Sequence, residues 1–424
     1  MINKNWLLLS HAFNMDGRAA SQTVTDKIPF LLKKNISLQV LSSTAGNKDK
    51  NINHKKLVSW SPSGLRFDFR FWLKRKNLNK LTYKTSMLLF SLLLLPFMAL
   101  EKILIRLPSH ASWAIPACIT GFYRVKRGEI NLVYSSGGAW SAHLAGYWIH
   151  KLTRVKWIVE MHDPMISIYD EKNSSFEIKL LLWLERKILE SSTIVWWFSE
   201  GAELVAKRRC NINLNNTFNH FAGANPPMPD IKYKRREKLI FSHFGSLTPG
   251  RSLKIFLMGI FELIESGQVD ENILEIHIYG GELDTISLGI LKKYGLEKII
   301  FPHGRIESIE SESGRSLIMR KMICSDVLVL MHGEDKNCSE YIPSKFYEYL
   351  QARRAILAYP YKNSQFTKLL ERSNCYISDK SSSSAVLNEI IKDWSAKRLK
   401  ISSKVISTEK IVDEIITKLE ACQS

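Results

Sequence analysis

The sequence predicts two α/β domains, each built around a parallel β-sheet. The chain has 424 residues, which corresponds to two domains at roughly 100–200 residues each. Short apolar segments alternate with segments of helical periodicity, and this alternation occurs twice along the chain. Between the two series lies a Pro-rich, charged stretch that is typical of a linker. We therefore expect an N-terminal domain over residues 1–222, a linker over 223–237 and a C-terminal domain over 238–424, with the last helix placed to pack back on the N-terminal domain.

Each half contains short segments rich in Val, Ile, Leu and Trp, which predict buried strands of a parallel sheet. In the first half these are residues 6–10, 37–41, 130–135, 156–161 and 193–198, with helices over 18–33, 140–151 and 176–189. In the second half they are 239–244, 274–279, 298–301, 327–331 and 355–359, with helices over 253–265, 344–352 and 410–421. Ligands of such sheets bind beyond the carboxyl ends of the strands, so we expect a site in the cleft between the two domains.

The cysteines and the N-terminus indicate a protein of the reducing cytosol. Six cysteines are scattered without a C-x-x-C pair, which argues against a disulfide framework or a zinc module. The first ten residues contain one Lys before a short apolar run and no small-residue cleavage site. This pattern is that of a buried strand rather than of a signal peptide.

The positive charge is concentrated in one part of the chain. The net charge is +19, and residues 45–128 contribute +13 of it, from 16 Lys and Arg against Asp49, Asp68 and Glu101. A block of this kind suits an anionic partner, either a nucleic acid or an anionic lipid surface.

An apolar run within this block favours the lipid surface. Residues 87–100 (MLLFSLLLLPFMAL) are apolar except for Ser91, and they follow an aromatic and basic stretch over 67–76. The run is shorter than the roughly 20 residues of a membrane span, and Pro96 interrupts it, so a surface-lying or buried element is expected. The residues predicted to meet the membrane or the acceptor are Arg70, Trp72, Lys74, Arg75, Leu89 and Leu93. Two alternatives are a core helix with a solvated charged face, and nucleic-acid binding, for which no recognised motif is present.

Two carboxylates seven residues apart form the sharpest motif of the chain. Glu340 and Glu348 flank Pro343 and Ser344, which favour a helix start between them. The free N–H groups of the first helical turn and the Lys345 ammonium would then face the same space and bind an anion. Carboxylates beside such an anion site can accept hydrogen bonds from sugar and ribose hydroxyls. The arrangement predicts a nucleotide-sugar site; the alternative is an ordinary solvated helix start.

The chain resembles the retaining GT-B glycosyltransferases of family 4, which carry a Glu-x7-Glu motif written E-x-x-I-P-S-K-x-x-E-Y-L. This resemblance implies two Rossmann-like domains that face each other across a cleft. It also implies transfer of a hexose-type sugar from a nucleotide donor with retention of anomeric configuration. The resemblance extends over most of the chain, through residues 8–17, 159–164, 244–251, 279–281, 303–305 and 340–350.

The resemblance also implies roles for residues of the second domain. Glu340 would contact the hydroxyls of the donor hexose, Glu348 the ribose, and Arg251 with Lys254 the diphosphate. The remaining donor-binding candidates are Gly245, Gly280, Gly281, Arg305, Ile306, Ser344 and Lys345, of which Arg305 and Ile306 are candidates for the nucleobase. The alternatives are that the glycines only form turns and that Arg251 and Lys254 are surface residues.

In the first domain the resemblance points to three loops. Gly17 follows the first strand, where the family has a glycine pair that approaches the donor phosphate, and Asp16 before it is equally suited to cap a helix. His162 and Asp163 follow another strand and are catalytic candidates at the donor sugar, although Asp163 and Pro164 could merely begin a turn. The turn 135–139 is a further candidate, or a tight strand-to-helix connection.

The expected reaction needs position and electrostatics rather than a cofactor. The donor's own phosphate would take the acceptor proton in a front-face substitution, while cations and helix N–H groups stabilise the leaving diphosphate. No metal and no cofactor are expected, since these groups can replace a divalent ion. The acceptor is expected to be lipid-linked or saccharide, in bacterial surface polysaccharide or lipopolysaccharide assembly on the cytoplasmic face of the membrane. Two alternatives remain, namely a nucleotide-sugar epimerase of the same fold and a catalytically degenerate, membrane-tethered binding module.

Overall fold

The computed structural model describes residues 4–15, 17–76, 78–212, 215–309 and 312–422. The chain divides into two compact units. Unit 1 consists of Met1–Ala222 and Thr408–Ser424, and unit 2 consists of Gly223–Ser407.

Unit 1 is built around a seven-stranded parallel sheet within the described residues. The strand order is β3-β2-β1-β4-β5-β6-β7. The strands are β1 (Asn5–Leu9), β2 (Ser37–Ser43), β3 (Asn53–Leu57), β4 (Leu132–Ser136), β5 (Lys156–Met161), β6 (Ile194–Trp197) and β7 (Thr217–Asn219). The helices are α1 (Ala19–Thr25), α2 (Ile28–Lys33), α3 (Pro62–Lys74), α4 (Lys80–Leu104), α5 (Ala114–Lys126), α6 (Ser141–Thr153), α7 (Phe176–Ser191) and α8 (Glu200–Cys210).

Unit 2 has a six-stranded parallel sheet in the part of the chain that is described. Its order is β10-β9-β8-β11-β12-β13. The strands are β8 (Leu239–Phe244), β9 (Leu274–Tyr279), β10 (Ile300–Gly304), β11 (Val327–Met331), β12 (Ala355–Tyr359) and β13 (Tyr376–Ile377). The helices are α9 (Lys254–Glu265), α10 (Thr285–Tyr294), α11 (Gly314–Ile323), α12 (Ser344–Ala352), α13 (Ser364–Arg372) and α14 (Ser383–Ser395), followed by α15 (Thr408–Ala421), which belongs to unit 1.

The predicted architecture of two parallel-sheet α/β domains is confirmed. The apolar strands near the middle of each sheet are buried on both faces, as their near-continuous apolar sequences require. Each sheet has one point at which the strand order reverses, between β1 and β4 in unit 1 and between β8 and β11 in unit 2. Loops that leave strands at such a point border a crevice, which is where α/β sheets bind ligands.

Two expectations about helices are wrong. The helix predicted over 18–33 is two helices, because Pro29 lacks the N–H that would bond to the Thr25 carbonyl. The apolar run over 87–100 is part of the 25-residue helix α4, which continues through Pro96. Pro96 removes one backbone hydrogen bond, and contacts with α3 hold the helix on both sides of it, at Phe90 and at Glu101.

The segment between the two series of strands packs on unit 2. The Tyr233 hydroxyl donates to the Asp326 carboxylate, and the Arg354 guanidinium lies 3.9 Å from the centre of the Tyr233 ring. Helix α15 packs on α2 of unit 1, with ion pairs of 2.5 Å from Lys33 to Glu409 and from Lys34 to Asp413. The chain therefore leaves unit 1, forms unit 2 and returns.

Candidate functional site

The two motif carboxylates lie on either side of the start of α12. The helix begins at Ser344 directly after Pro343, as the sequence predicts. Glu340 ends a short 3-10 turn (Lys336–Glu340), and Glu348 lies in the second turn of α12. Both side chains are buried at 3% exposure, which places their charges in a region of low dielectric constant.

The loop before α12 is held by the side chain of Asn363. Its amide donates to the carbonyl oxygens of Cys338, at 3.1 Å, and Tyr341, at 2.9 Å. His332 accepts at Nδ1 from the Tyr361 N–H, at 3.3 Å, so its Nε2 carries the proton and donates to the Tyr341 carbonyl at 3.1 Å. These bonds fix the loop that presents Glu340 to the amino end of α12.

Glu348 is held between two cations. The Arg315 Nε donates to Glu348 Oε1 at 2.9 Å, and the Lys345 ammonium donates to Oε2. Burial alone would raise the pKa of Glu348, but the charges of Lys345 and Arg315 lower it, so the carboxylate is ionised at neutral pH. Arg315 lies on α11, 33 residues before Glu348, and no local pattern in the sequence indicates it.

Three glycines join the ends of adjacent strands in unit 2. The Gly245 N–H donates to the Tyr279 carbonyl at 2.9 Å, and the Gly280 N–H donates to the Gly304 carbonyl at 2.7 Å. Gly280 has φ = +125°, and a Cβ there would lie 2.7 Å from the Gly245 carbonyl oxygen. Close backbone packing therefore requires glycine at position 280, whereas a Cβ at Gly281 would meet open space.

Arg251 is anchored beside the loop that carries Glu340. Its Nε donates to the His332 carbonyl at 3.3 Å, and its Nη2 donates to the Tyr341 hydroxyl at 2.7 Å. It also lines a cavity of about 340 Å³ in unit 2. Lys254, the first residue of α9, is half-buried. The structure thus links Arg251 to the Glu340 loop through Tyr341.

His243 is a residue of this site that the sequence analysis missed. It is buried on β8, and Nδ1 is 3.0 Å from the Val329 carbonyl, which can only accept, so Nδ1 carries the proton. Burial lowers the pKa of His243 to about 4, so the ring is neutral. Among the described residues Nε2 has no hydrogen-bond partner, and it lies 3.7 Å from where a Cβ of Gly245 would be. The Nε2 atom can therefore accept a hydrogen bond, close to Gly245 at the end of β8.

The remaining candidates of unit 2 lie on the loop after β10. Arg305 is exposed and Ile306 is half-buried. The Ile306 carbonyl lies against the start of α11, 3.3 Å from where a Cβ of Gly314 would be. The loop that carries the base-binding candidates therefore packs on the helix that carries Arg315.

In unit 1, His162 is part of a buried network centred on Glu160. The His162 Nε2 donates to Glu160 Oε1 at 2.5 Å, and the Ser136 hydroxyl donates to the same oxygen at 2.9 Å. The ammonium of Lys27 lies 3.1 Å from the Glu160 carboxylate, and the Tyr134 hydroxyl also donates to it. The sequence analysis missed Glu160 and Lys27, although a lone carboxylate in an otherwise apolar strand was a signal for such a network.

This network keeps Glu160 charged inside the unit. Burial would raise the pKa of Glu160, but the Lys27 ammonium and the hydrogen bonds from His162 and Tyr134 lower it to about 2. The His162 ring stacks on Phe198 at 4.6 Å, and a Cβ at Gly137 would lie 2.9 Å from it. Because Gly137, in the predicted 135–139 turn, has no side chain, the His162 ring fits beside it. The His162 Nε2 is hydrogen-bonded to Glu160.

The other candidates of unit 1 are on the surface. Gly17 is exposed with φ = +67°, a conformation that favours glycine. Asp163 is exposed after β5. Asp16 lies outside the described residues.

The predicted membrane-facing residues lie on a hairpin of α3 and α4. Arg70 is placed against the rings of Phe67 and Phe71, at 5.6 and 5.1 Å. Arg75 donates to the backbone carbonyls of Thr44 and Gly46. The guanidinium groups of Arg70 and Arg75 are therefore already in contact with other groups of unit 1. Three other candidates of this set, all exposed, are Trp72, Leu89 and Leu93.

Helix α4 is apolar, and the side of it that does not contact α3 is exposed. It has no buried residue, and Leu89 and Leu93 are 63% and 67% exposed. A core position for the run 87–100 is therefore excluded. Among the described residues, α4 is the one helix whose length and composition would suffice to cross a membrane. No group of three or more His, Cys, Asp or Glu side chains suited to a metal ion occurs in the described part of the chain.

Comparison with known proteins identifies the fold. No protein-family model matches the chain, and no curated protein matches it in sequence. Among solved structures, HepE from Anabaena in complex with UDP-glucose matches with a TM-score of 0.58 and 13% identity, over 99% of this chain and 98% of that one. TarM matches with a TM-score of 0.61 and 10% identity, over 98% of each chain. The chain has the GT-B fold.

The predicted GT-B architecture is thus confirmed, and the structural neighbours are glycosyltransferases. WaaG, a glycosyltransferase involved in lipopolysaccharide biosynthesis, matches with a TM-score of 0.52 and 10% identity, over 99% of this chain and 98% of that one. At these identities the likeness establishes the fold. Membership of family 4 and the roles of Glu340 and Glu348 stay predictions.

Proposed function

We propose that this protein is a retaining glycosyltransferase that moves a hexose-type sugar from a nucleotide sugar to a lipid-linked acceptor. The observation that carries the proposal is the buried Glu348, held by Arg315 and Lys345 in a helix that starts just after Glu340. Among its GT-B neighbours, HepE was solved with UDP-glucose, and WaaG is involved in lipopolysaccharide biosynthesis. The setting we propose is bacterial surface polysaccharide or lipopolysaccharide assembly at the cytoplasmic face of the membrane.

The donor is proposed to bind to unit 2. Glu348 would accept hydrogen bonds from the ribose hydroxyls, and Glu340 from the hexose. The N–H groups at the start of α12, where no side chain caps the helix, would face the diphosphate together with Lys345 and Arg251. Since His243 Nε2 has a lone pair and no partner among the described residues, a donor hydroxyl could bond to it.

The chemistry follows from this electrostatic arrangement. As the glycosyl bond breaks, negative charge grows on the leaving nucleotide diphosphate. Cations and N–H groups that are already fixed in place stabilise this charge more in the transition state than in the ground state. In the proposed front-face substitution the donor phosphate accepts the proton of the acceptor hydroxyl, and the new bond forms on the face that the nucleotide leaves. No metal ion is required in this proposal.

The acceptor is proposed to be presented by a membrane on which the protein lies. Helix α4 is tied to α3 along much of its length, by the Ser63 hydroxyl and Glu101 at 2.6 Å and by the rings of Phe69 and Phe90 at 4.0 Å. Helix α3 in turn packs into unit 1 through Leu73. A helix held in this way lies on a surface with its leucines in the acyl region, so a peripheral position is favoured over a span.

Donor binding is tested by replacing Glu348. Glu348→Gln should weaken the binding of UDP and UDP-glucose about tenfold or more, because a hydrogen bond to a charged group contributes about 1.5–3 kcal/mol. Isothermal titration calorimetry measures the affinity, and circular dichroism checks the fold. The matched control is Glu371→Gln, an exposed residue of α13, which should bind as the wild type does. Unchanged affinity in Glu348→Gln would refute the ribose role.

The reaction itself is tested with the donor alone and then with acceptors. A retaining transferase that slowly hydrolyses UDP-α-glucose should release α-glucose first, which proton NMR detects before mutarotation. An epimerase would instead produce a second nucleotide sugar in the same spectra. Binding without any turnover, with or without membrane extracts, would indicate the degenerate binding module and overturn the proposal.

A further inference from the structure

Unit 1 contains a small cavity that is lined by none of the donor-binding residues proposed in unit 2. Its volume is about 230 Å³. Three chain segments form it at the carboxyl edge of the sheet, namely the loop after β1, the loop after β2 and the end of α3. The lining residues are Asn14, Met15, residues 45–47, Phe71, Lys74 and Arg75.

The two loops around this cavity are joined by their backbones. The Asn47 N–H donates to the Asn14 carbonyl at 2.8 Å. A Cβ at Gly46 would lie 1.7 Å from the Phe13 carbonyl oxygen, so this approach requires glycine. The side chains of Lys56 and Arg75 both donate to the Gly46 carbonyl, at 2.5 and 3.0 Å. The cavity is therefore a built feature of the unit rather than a gap between loose loops.

Positive charge predominates at this cavity. Lys74 and Arg75 line it, and Lys56 lies behind it, where its ammonium donates to the Gly46 carbonyl. Asp68 is the carboxylate that acts on Lys56 and Arg75. Asp68 already accepts from the Thr44 hydroxyl and the Ser59 N–H, each at 2.7 Å. Burial, reinforced by the nearby charge of Arg75, lowers the pKa of Lys56 to about 8. A bound anion would relieve this repulsion between like charges.

Lys74 is the cation that remains available to a ligand. It is exposed at the end of α3, its ammonium lies 6.0 Å from the centre of the Phe71 ring, and it forms no ion pair with any described residue. It lies at the turn of the hairpin whose second helix, α4, exposes its leucines. One hairpin thus carries both a cationic cavity and an apolar surface, which together match an amphiphile with an anionic head.

We propose that this cavity binds the phosphate group of a lipid phosphate acceptor, with Lys74 as its direct partner and the hydrocarbon chain on α4. This inference rests on the proposed function, which requires an acceptor. The cavity is smaller than the roughly 300–1,000 Å³ of pockets that enclose a drug-sized ligand, so it suits a head group and not the lipid chain.

The test measures the binding of dodecyl phosphate below its micelle concentration to the full-length protein by calorimetry. Lys74→Gln should bind it at least tenfold more weakly than the wild type, since a charge-assisted hydrogen bond is lost. The matched control is Lys179→Gln, which removes the same charge from an exposed position of α7, outside both the cavity and α4, and should bind as the wild type does. Lys74→Arg keeps the charge and should retain most of the affinity.

Two results would overturn the inference. Equal affinity of Lys74→Gln and the wild type would remove the cavity as the binding site. Binding of inorganic phosphate as tight as that of dodecyl phosphate would identify a site for free anions and refute the lipid assignment. UDP is titrated in parallel, because the donor is proposed to bind to unit 2, whereas Lys74 belongs to unit 1. Loss of dodecyl phosphate binding in Lys74→Gln, together with no UDP binding in any variant, would uphold the cavity while refuting the proposed function.

Discussion

At the scale of single residues, Lys27 and Glu160 form an ion pair that is buried inside unit 1. Neither side chain is more than 1% exposed, and the Lys27 ammonium also donates to the Thr23 carbonyl at 2.6 Å. Burial lowers the pKa of Lys27, while the Glu160 charge counteracts this shift. A buried pair costs desolvation free energy that its mutual attraction largely offsets, so removal of one partner is much more costly than removal of both.

Glu160→Gln should therefore destabilise unit 1 by about 3–5 kcal/mol, because it leaves the Lys27 ammonium without its anion. The double variant Lys27→Met with Glu160→Gln should recover at least half of this loss. Urea unfolding followed by tryptophan fluorescence measures it, since ten of the 11 tryptophans belong to unit 1. Equal stability of the single variant and the control Glu129→Gln, at an exposed position of unit 1, would contradict the structural role of the pair.

The same pair predicts acid sensitivity. The pKa of Glu160 is lowered from 4.5 to about 2 in the folded protein. Its contribution to stability is thus complete above the unfolded pKa and is lost as the pH falls from about 4.5 towards 2. As the pH is lowered through this range, the free energy of unfolding should decrease less steeply in Glu160→Gln than in the wild type.

At the scale of elements, α4 is the unusual one. A helix of 25 residues with no fully buried side chain gains little stability from its exposed leucines in water, so their apolar surface is available for a partner. Polar substitutions on this face remove no packing within the fold. They should change membrane affinity with little effect on stability.

Leu89→Ser combined with Leu93→Ser should reduce binding to vesicles of phosphatidylglycerol and phosphatidylcholine about 100-fold. Each leucine that enters the acyl region contributes about 1.5 kcal/mol or more. Vesicle sedimentation measures the binding, and thermal unfolding should remain within about 0.5 kcal/mol of the wild type. Leu204→Ser, at an exposed position of α8, is the control. Undiminished binding of the double variant would refute membrane contact through α4.

At the scale of the whole molecule, unit 1 is completed only by the end of the chain. Helix α15 buries Ile411, Val412 and Ile415 in unit 1, although unit 2 separates them in sequence from the rest of that unit. A substitution that weakens the packing of α15 should therefore destabilise unit 1, which also contains the first residues of the chain.

Ile415→Ala should destabilise unit 1 by about 2–5 kcal/mol, as expected when a buried isoleucine is truncated. Tryptophan fluorescence detects this loss, whereas stabilisation by UDP, which is proposed to bind to unit 2, should persist. Lys418→Ala, at an exposed position of the same helix, should change the stability of neither unit. A loss confined to unit 2 would show that α15 stabilises the other unit instead.

Sequence reasoning succeeded for elements buried on both faces. The strands predicted over 156–161, 239–244, 274–279, 327–331 and 355–359 agree residue by residue with β5, β8, β9, β11 and β12. Among the described strands, it missed β3, β7 and β13, which lie at the edges of the sheets. Edge strands are exposed on one side and are short, so their apolar pattern is weak.

The sequence by itself determined the local features of this protein. Apolar segments that can only be buried predicted both sheets, and Pro343 with Ser344 predicted the start of α12. Only the tertiary structure decided which distant side chains meet. Arg315 reaches Glu348, Lys27 reaches Glu160, and the leucines Leu89 and Leu93 of α4 remain exposed. Local sequence patterns indicate helix or strand propensity and burial. The partner of a buried charge can lie on any element that the fold packs beside it, so a local pattern does not predict that partner.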